Sequence, residues 1–192
     1  MRSHLIPLLL AAAAALPAGA RAQAATYQID PLHTFVIFEV MHFGTSTNRG
    51  RFDRSRGTVT LDRTARSGAV DITVETRSVN TGVEAFTKSL LSRDFLSTAE
   101  HPTARFTADR LVFDGPKLTE VQGELMLLGI KQPFTLKALN FNCYENSMFK
   151  REVCGGDFEG TLQRSRYGIQ WGLNLGFPDA VRLLVQVEAI RQ

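Results

Sequence analysis

Residues 69–76 read AVDITVET, with Val70, Ile72 and Val74 alternating against Asp71, Thr73 and Glu75. Side chains of an extended strand point to opposite faces in turn, so this stretch carries one apolar and one polar face. It is the clearest half-buried strand in the chain, and the same period recurs on both sides of it. Upstream, 33–42 (HTFVIFEVMH) places Val36, Phe38, Val40 and His42 on one face and Phe35, Ile37, Glu39 and Met41 on the other. Glu39 marks the second face as the outside. Residues 57–62 set Val59 and Leu61 to one side.

Downstream, 102–109 sets Ala104, Phe106 and Ala108 against Thr103, Arg105 and Thr107. Strands follow over 121–128, 133–141, 157–164 and 180–191, with a turn at Gly129-Ile130-Lys131. The last strand keeps Val181, Leu183, Val185, Val187 and Ala189 in step. One segment departs from the rule. In 80–96 (NTGVEAFTKSLLSRDFL), Val83, Phe86, Leu90 and Leu91 fall at helical spacing after an Asn/Thr start. About eight strands, short turns and one short helix define an all-β chain, either a closed antiparallel barrel or a sandwich.

The first 22 residues stand apart from this pattern. Met1-Arg2 gives a positive start, 5–15 an apolar run, and Ala20-Arg21-Ala22 a small-residue cleavage pattern. The run is short of the roughly 18 apolar residues of a spanning helix. A signal peptide over 1–22 is therefore expected, with residues 23–192 as one exported, periplasmic or secreted domain. The net charge of +3 includes Arg2 and Arg21, so the mature chain carries 20 Lys+Arg against 19 Asp+Glu. No general basic pull toward nucleic acid remains. Two cysteines, Cys143 and Cys154, are expected to pair as a disulfide in an oxidising compartment. A zinc pair lacks both the C-x-x-C spacing and a nearby histidine.

Motifs distributed along the whole mature chain resemble the YceI-like family. They begin with Tyr27-Gln28-Ile29-Asp30-Pro31-Leu32-His33 and continue through Phe38-x-Val40-x-His42-x-Gly44 and Gly50-Arg51-Phe52. Ser78-Val79-Asn80-Thr81-Gly82, Arg93-Asp94-Phe95-Leu96 and His101-Pro102-x-Ala104-x-Phe106 follow in order. Gly123-Glu124-Leu125-Met126-Leu127-x-Gly129-Ile130-Lys131-Gln132-Pro133 and Gln163-Arg164-Ser165-x-Tyr167-Gly168-Ile169 complete the set. The resemblance implies a periplasmic, lipocalin-like barrel that binds a polyisoprenoid or similar long-chain amphiphile. The Cys143–Cys154 stretch is a departure from the family's general pattern.

The apolar wall expected from alternation comprises Val36, Phe38, Val40, Val59, Leu61, Val70, Ile72, Val74, Phe106, Leu125, Leu127 and Phe134, joined by Phe86, Leu90 and Trp171. By pattern alone these residues fill a closed core, since small barrels are often packed with side chains. The resemblance reverses that reading in favour of a cavity. His33, His42 and Arg164 are the candidate polar rim. The two histidines are nine apart and face opposite sides of one uninterrupted strand, so no shared metal site is expected. Trp171, with Tyr167 and Phe177, belongs either to the barrel mouth or to its floor. Arg49, Arg51, Arg54, Arg56, Arg63 and Arg66 crowd one expected hairpin, with only Asp53 and Asp62 against them. They form either a solvated face or a docking face for anionic head groups.

The expected function is an exported binding protein that holds a polyisoprenoid, isoprenoid quinone or fatty-acid-like lipid as carrier or reservoir, without catalysis and without a separate cofactor. Two alternatives stand beside it. A lipid-active hydrolase or isomerase lacks every common catalytic motif, its best triad being Asp30, His33 and Ser46, with Ser46 read as part of a turn. A stress or partner-binding module serving a membrane redox protein would use the same pocket. Transient contact with a membrane surface or membrane protein, and a homodimer, stay open.

Overall fold

In the computed structural model, which describes residues 24–148 and 150–192, the alternating segments become eleven strands of one antiparallel sheet. In chain order they are β1 (Ala25–Ile29), β2 (Phe35–His42), β3 (Ser46–Phe52), β4 (Ser55–Asp62), β5 (Ser67–Glu75) and β6 (Val79–Asn80). Then come β7 (Thr103–Asp114), β8 (Lys117–Leu127), β9 (Ile130–Asn146), β10 (Arg151–Gln163) and β11 (Ala180–Arg191). A single α-helix among the described residues, α1 (Glu84–Leu91), lies between β6 and β7. The targeting segment expected over 1–22 lies outside the described residues.

Eight strands close into a barrel in the order β1-β4-β5-β7-β8-β9-β10-β11, with β11 returning to β1. Closure removes the unpaired edges that an open sheet would expose. The remaining three strands branch from this ring, β2 pairing with β11, β3 with β2, and β6 with β3.

The branch exists because β11 serves two partners in succession. Arg182 to Gln186 pair with β2, whereas Ala189 to Arg191 pair with β1. The handover falls at Glu188, and Thr34 covers it. The Thr34 hydroxyl donates to the Glu188 carbonyl at 3.2 Å and accepts from the Glu188 N–H at 3.3 Å. Asp30 N–H gives the same carbonyl a further bond at 2.8 Å. Thr34 is only 1% exposed, so its hydroxyl gives the Glu188 N–H its partner and shares the Glu188 carbonyl with the backbone just beyond β1. Beyond this point the inserted β2–β3 hairpin lengthens the circumference, and the barrel flares.

The other end is narrow and filled. Tyr27, Ile29, Leu61, Cys154 and Ala189 are buried together, with Val59 packed against them. Burial pushes the Tyr27 phenol up to about 12, and the Glu152 carboxylate that accepts its hydrogen bond adds to the shift. Cys143 and Cys154 are joined by a disulfide and stand directly opposite each other on β9 and β10. The departure from the family pattern is therefore no separate loop. It is an extension of the β9–β10 hairpin at the narrow end, far from the flare.

Three expectations shift. Ser46, read as part of a turn, opens a strand over 46–52, because β2 offers Val36 to His42 for pairing, with His42 opposite Ser46 and the turn confined to 43–45. The β8–β9 connection is the two residues Leu128 and Gly129, whose φ values of 53° and 75° suit a type I′ hairpin turn, so β9 begins at Ile130. The helix is shorter than 80–96. Gly82 turns at φ 72°, and the Asn80 side chain accepts from its N–H, holding the preceding residues out of the helix.

Replacing Thr34 with Val is expected to cost about 1–3 kcal/mol, the penalty for orphaning a buried backbone group, while Thr34→Ser keeps most of the stability. Urea unfolding of both variants checks this, and a Thr34→Val midpoint equal to wild type would rule the handover out as a stabilising pin. Removing both cysteines (Cys143→Ser with Cys154→Ser) should lower stability by about 3 kcal/mol in the chain-entropy model and leave the flared end unchanged. Denaturation with and without reductant reads the first part; uptake of an apolar dye reads the second.

Candidate functional site

The flared half encloses a cavity of about 1050 Å³, at the top of the roughly 300–1,000 Å³ range of small-molecule pockets. Its wall takes Val36, Phe38 and Val40 from β2, Ile72 and Val74 from β5, Phe106 from β7, Leu125 and Leu127 from β8, and Phe134 from β9. Phe86 and Leu90 of α1 and Trp171 complete the expected set that faces it. Val59 and Leu61 do not reach the cavity: they lie in the narrow end with Tyr27 and Ile29. Alternation assigned their face correctly but carried no information about their depth. Val70, one step from Ile72, packs against the core without lining the cavity.

Phe52, Phe95, Leu136, Leu162, Val181, Leu183 and Val185 line it as well. The β11 residues were visible in the alternation of 180–191. Phe52 was hidden because its strand offers a single large apolar side chain among Thr, Asn, Gly and Arg. Inward residues of β2 and β11, such as Phe38 and Leu183, are only half-buried. A close-packed interior would leave them no accessible surface. The barrel is thus packed at its narrow end and open at its wide one. Gly50 belongs to this geometry, since a Cβ there would stand 2.3 Å from the Phe38 ring.

The mouth is built from α1 and the 164–179 connection. The C-terminal end of α1 is anchored: Leu96 N–H bonds the Leu90 carbonyl, and Thr98 bonds that of Leu91 through both its N–H and its hydroxyl. Its start is tied only locally, through Thr81 to Val83 and Thr87, and leaves Val83 47% and Phe86 54% exposed. Opposite it runs an arc of rings. His42 meets Phe43 (4.8 Å), Phe43 meets Phe177 (4.8 Å), Phe177 meets Trp171 (5.3 Å), and Trp171 meets Phe95 (5.3 Å). Gly172, in a left-handed turn at φ 74°, lets Phe177 lie on the backbone where a Cβ would be 2.8 Å away. Trp171 is therefore a mouth residue, 45% exposed, whereas Tyr167 is buried in the core.

The polar candidates separate. His42 lines the cavity mouth. His33 lies away from it, exposed, with Nδ1 2.7 Å from Asp30 Oδ2, a hydrogen bond that raises its pKa. Ser46 pairs with the far end of β2, roughly 25 Å of strand from His33, so Asp30, His33 and Ser46 do not converge. Arg164 lines the cavity and is buried. The arginine-rich region is not one hairpin face: Arg49 pairs with Glu39, Arg51 with Asp53, Arg54 and Arg56 with Glu75, and Arg63 with Glu152. Such pairing favours a solvated exterior over a free anion-docking face. Among the described residues, the one group of three candidate metal donors is Cys143, Glu152 and Cys154, and both its sulfurs are in the disulfide.

The YceI-like domain model matches residues 27–189. Protein YceI of Escherichia coli O157:H7 is 33% identical over 174 residues, covering 89% of this chain and 90% of that protein. The crystal structure of Burkholderia cenocepacia BcnA superposes with a TM-score of 0.67 at 17% identity, over 83% of this chain and 98% of that one. A polyisoprenoid binding domain from Saccharophagus degradans superposes at 0.61 with 16% identity, over 88% of this chain and 100% of that one. At these identities the two structures speak for the fold.

An open cavity accepts volume that a packed core would reject. Leu183→Trp should leave the melting temperature within a few degrees of wild type, whereas overpacking a filled core costs about 1–3 kcal/mol. The same variant should take up an apolar dye at least tenfold more weakly. A large loss of stability with unchanged dye uptake would mean that Leu183 meets no usable space.

Proposed function

Because the chain belongs to the YceI-like family, we propose that it is an exported binding protein whose flared barrel end holds a long-chain lipid as carrier or reservoir. The observation that carries this reading is the cavity of about 1050 Å³ walled by aliphatic and aromatic side chains. Each methylene removed from water contributes about 0.8 kcal/mol, so a five-carbon isoprene unit contributes roughly 3–4 kcal/mol before ordering costs. A chain of several units is held without any directional bond. A polyisoprenoid, an isoprenoid quinone or a fatty-acid-like chain each satisfies that requirement. The polyisoprenoid binding domain of Saccharophagus degradans, alike in fold, favours the isoprenoid.

Export and cleavage after residue 22 rest on the leader-like sequence, and a disulfide suits an oxidising compartment. The mouth supports loading from a membrane surface. Phe43, Phe86, Trp171 and Leu175 are each about half exposed or more, and exposed apolar side chains gathered at an opening mark a contact surface. One protomer encloses the cavity, so the reading needs no second copy. Nor does it assign any chemistry on the lipid.

Protein purified from an envelope fraction without detergent should release an isoprenoid, quinone or acyl chain on organic extraction, identified by mass spectrometry. If nothing is released and added polyprenol, quinone and fatty acid all fail to bind, the reading is wrong. Phe43→Ser combined with Leu175→Asp, both exposed and outside the cavity lining, should slow uptake from lipid vesicles and release to them severalfold together, leaving equilibrium affinity within about twofold, as expected when an exposed apolar patch serves the encounter and does not hold the guest. Unchanged uptake would remove the membrane-facing role of the mouth.

A further inference from the structure

Arg164 follows directly on β10, beneath the connection that leads to β11, and is 6% exposed. Its Nε donates to the Pro178 carbonyl at 2.8 Å, and its Nη1 donates to those of Ile169 (3.1 Å) and Trp171 (2.8 Å). Those bonds fix the guanidinium and brace the mouth loop. They leave Nη2, the one buried side-chain nitrogen or oxygen without a hydrogen-bond partner among the described residues. Arg164 itself lines the cavity.

The charge, like the buried nitrogen, is left without a bonded partner. Asp179 is the carboxylate whose field reaches Arg164, but both its oxygens are taken up by the N–H and hydroxyl of Ser165, each at 2.7 Å. Other cations at the cavity differ. Arg49 and Arg105 are held by Glu39 and Asp71, and Lys88 is exposed on α1. A buried cation with an unused N–H, set in an apolar wall, is stabilised by an anionic acceptor more than by a neutral one.

We propose that Arg164 is the head-group site of the cavity, its Nη2 donating to an anionic oxygen of the guest, of which the carboxylate of a long-chain acid is the simplest form. The inference rests on the lipid-binding reading and adds the polarity and the orientation of the guest. The head lies under the 164–179 loop, and the tail runs along Val181, Leu183 and Val185 toward the narrow end.

Oleate and 1-octadecene share a chain and differ in the head. Displacement of diphenylhexatriene, an uncharged probe, from wild type and Arg164→Gln gives all four affinities. Arg164→Gln should weaken oleate at least tenfold, a loss of about 1.4 kcal/mol or more, and leave 1-octadecene within twofold. Equal loss of both ligands assigns Arg164 a bracing role only and overturns the inference; so does no loss of either. If neither ligand binds wild type, the lipid-binding reading falls first. Because the variant also loosens the loop, a second measurement uses wild type alone. The carboxyl carbon of bound [1-13C]oleate should titrate below the ordinary carboxylate range, as beside a guanidinium. Burial among apolar side chains without a cation raises that value instead, so a raised midpoint would overturn the proposal.

Discussion

A strand of twelve residues that must satisfy two neighbours one after the other shapes this molecule. Every backbone N–H and C=O buried in a barrel wall has to find a partner. Where β11 passes from β2 to β1, the Thr34 hydroxyl meets the Glu188 N–H and shares the Glu188 carbonyl with the Asp30 N–H just beyond β1. Toward the disulfide from that point, the ring of eight strands is narrow enough for Tyr27, Ile29 and Leu61 to fill it. Toward the helix, an extra hairpin enters the wall, and the same kinds of side chain no longer meet across the middle. Cavity and core are two consequences of one change in circumference.

The outer surface fixes which way the strands face. Glu39 receives Arg49 and Arg182, and Arg182 reaches on to Glu159, so one chain of charges crosses β3, β2, β11 and β10. The Arg49 and Arg182 bonds hold the Glu39 carboxyl below its ordinary range. Each pair at such a surface contributes only about 0–1 kcal/mol. Their structural weight lies in register: a one-residue slip would turn this network inward and Phe38 outward.

Alternation is local, and it reported local things well. The apolar faces of 36–40, 72–74 and 181–185 point inward as read, because period two survives whatever the strand pairs with. Depth along the barrel axis is not local. Val59 and Leu61 carry the same signal as Ile72 and Val74 but sit below the handover, and only the pairing of β1 with both β4 and β11 puts them there. The strand at 46–52 was obscured for a related reason, since the support for its polar residues comes from β2 across the ladder. Thr34 shows the hardest case. Its role is defined by a carbonyl and an amide of distant backbone, which carry no side-chain signature. The family resemblance, in contrast, ran from Tyr27 to Ile169 and carried the fold with it.

The filled end also determines traffic. With Tyr27 and its neighbours packed across one end and the helix and aromatic arc framing the other, the vessel is a cul-de-sac with a single doorway. On the lipid-binding reading, a newcomer cannot push an occupant out through the back. On that reading, entry and exit share the same end of the barrel.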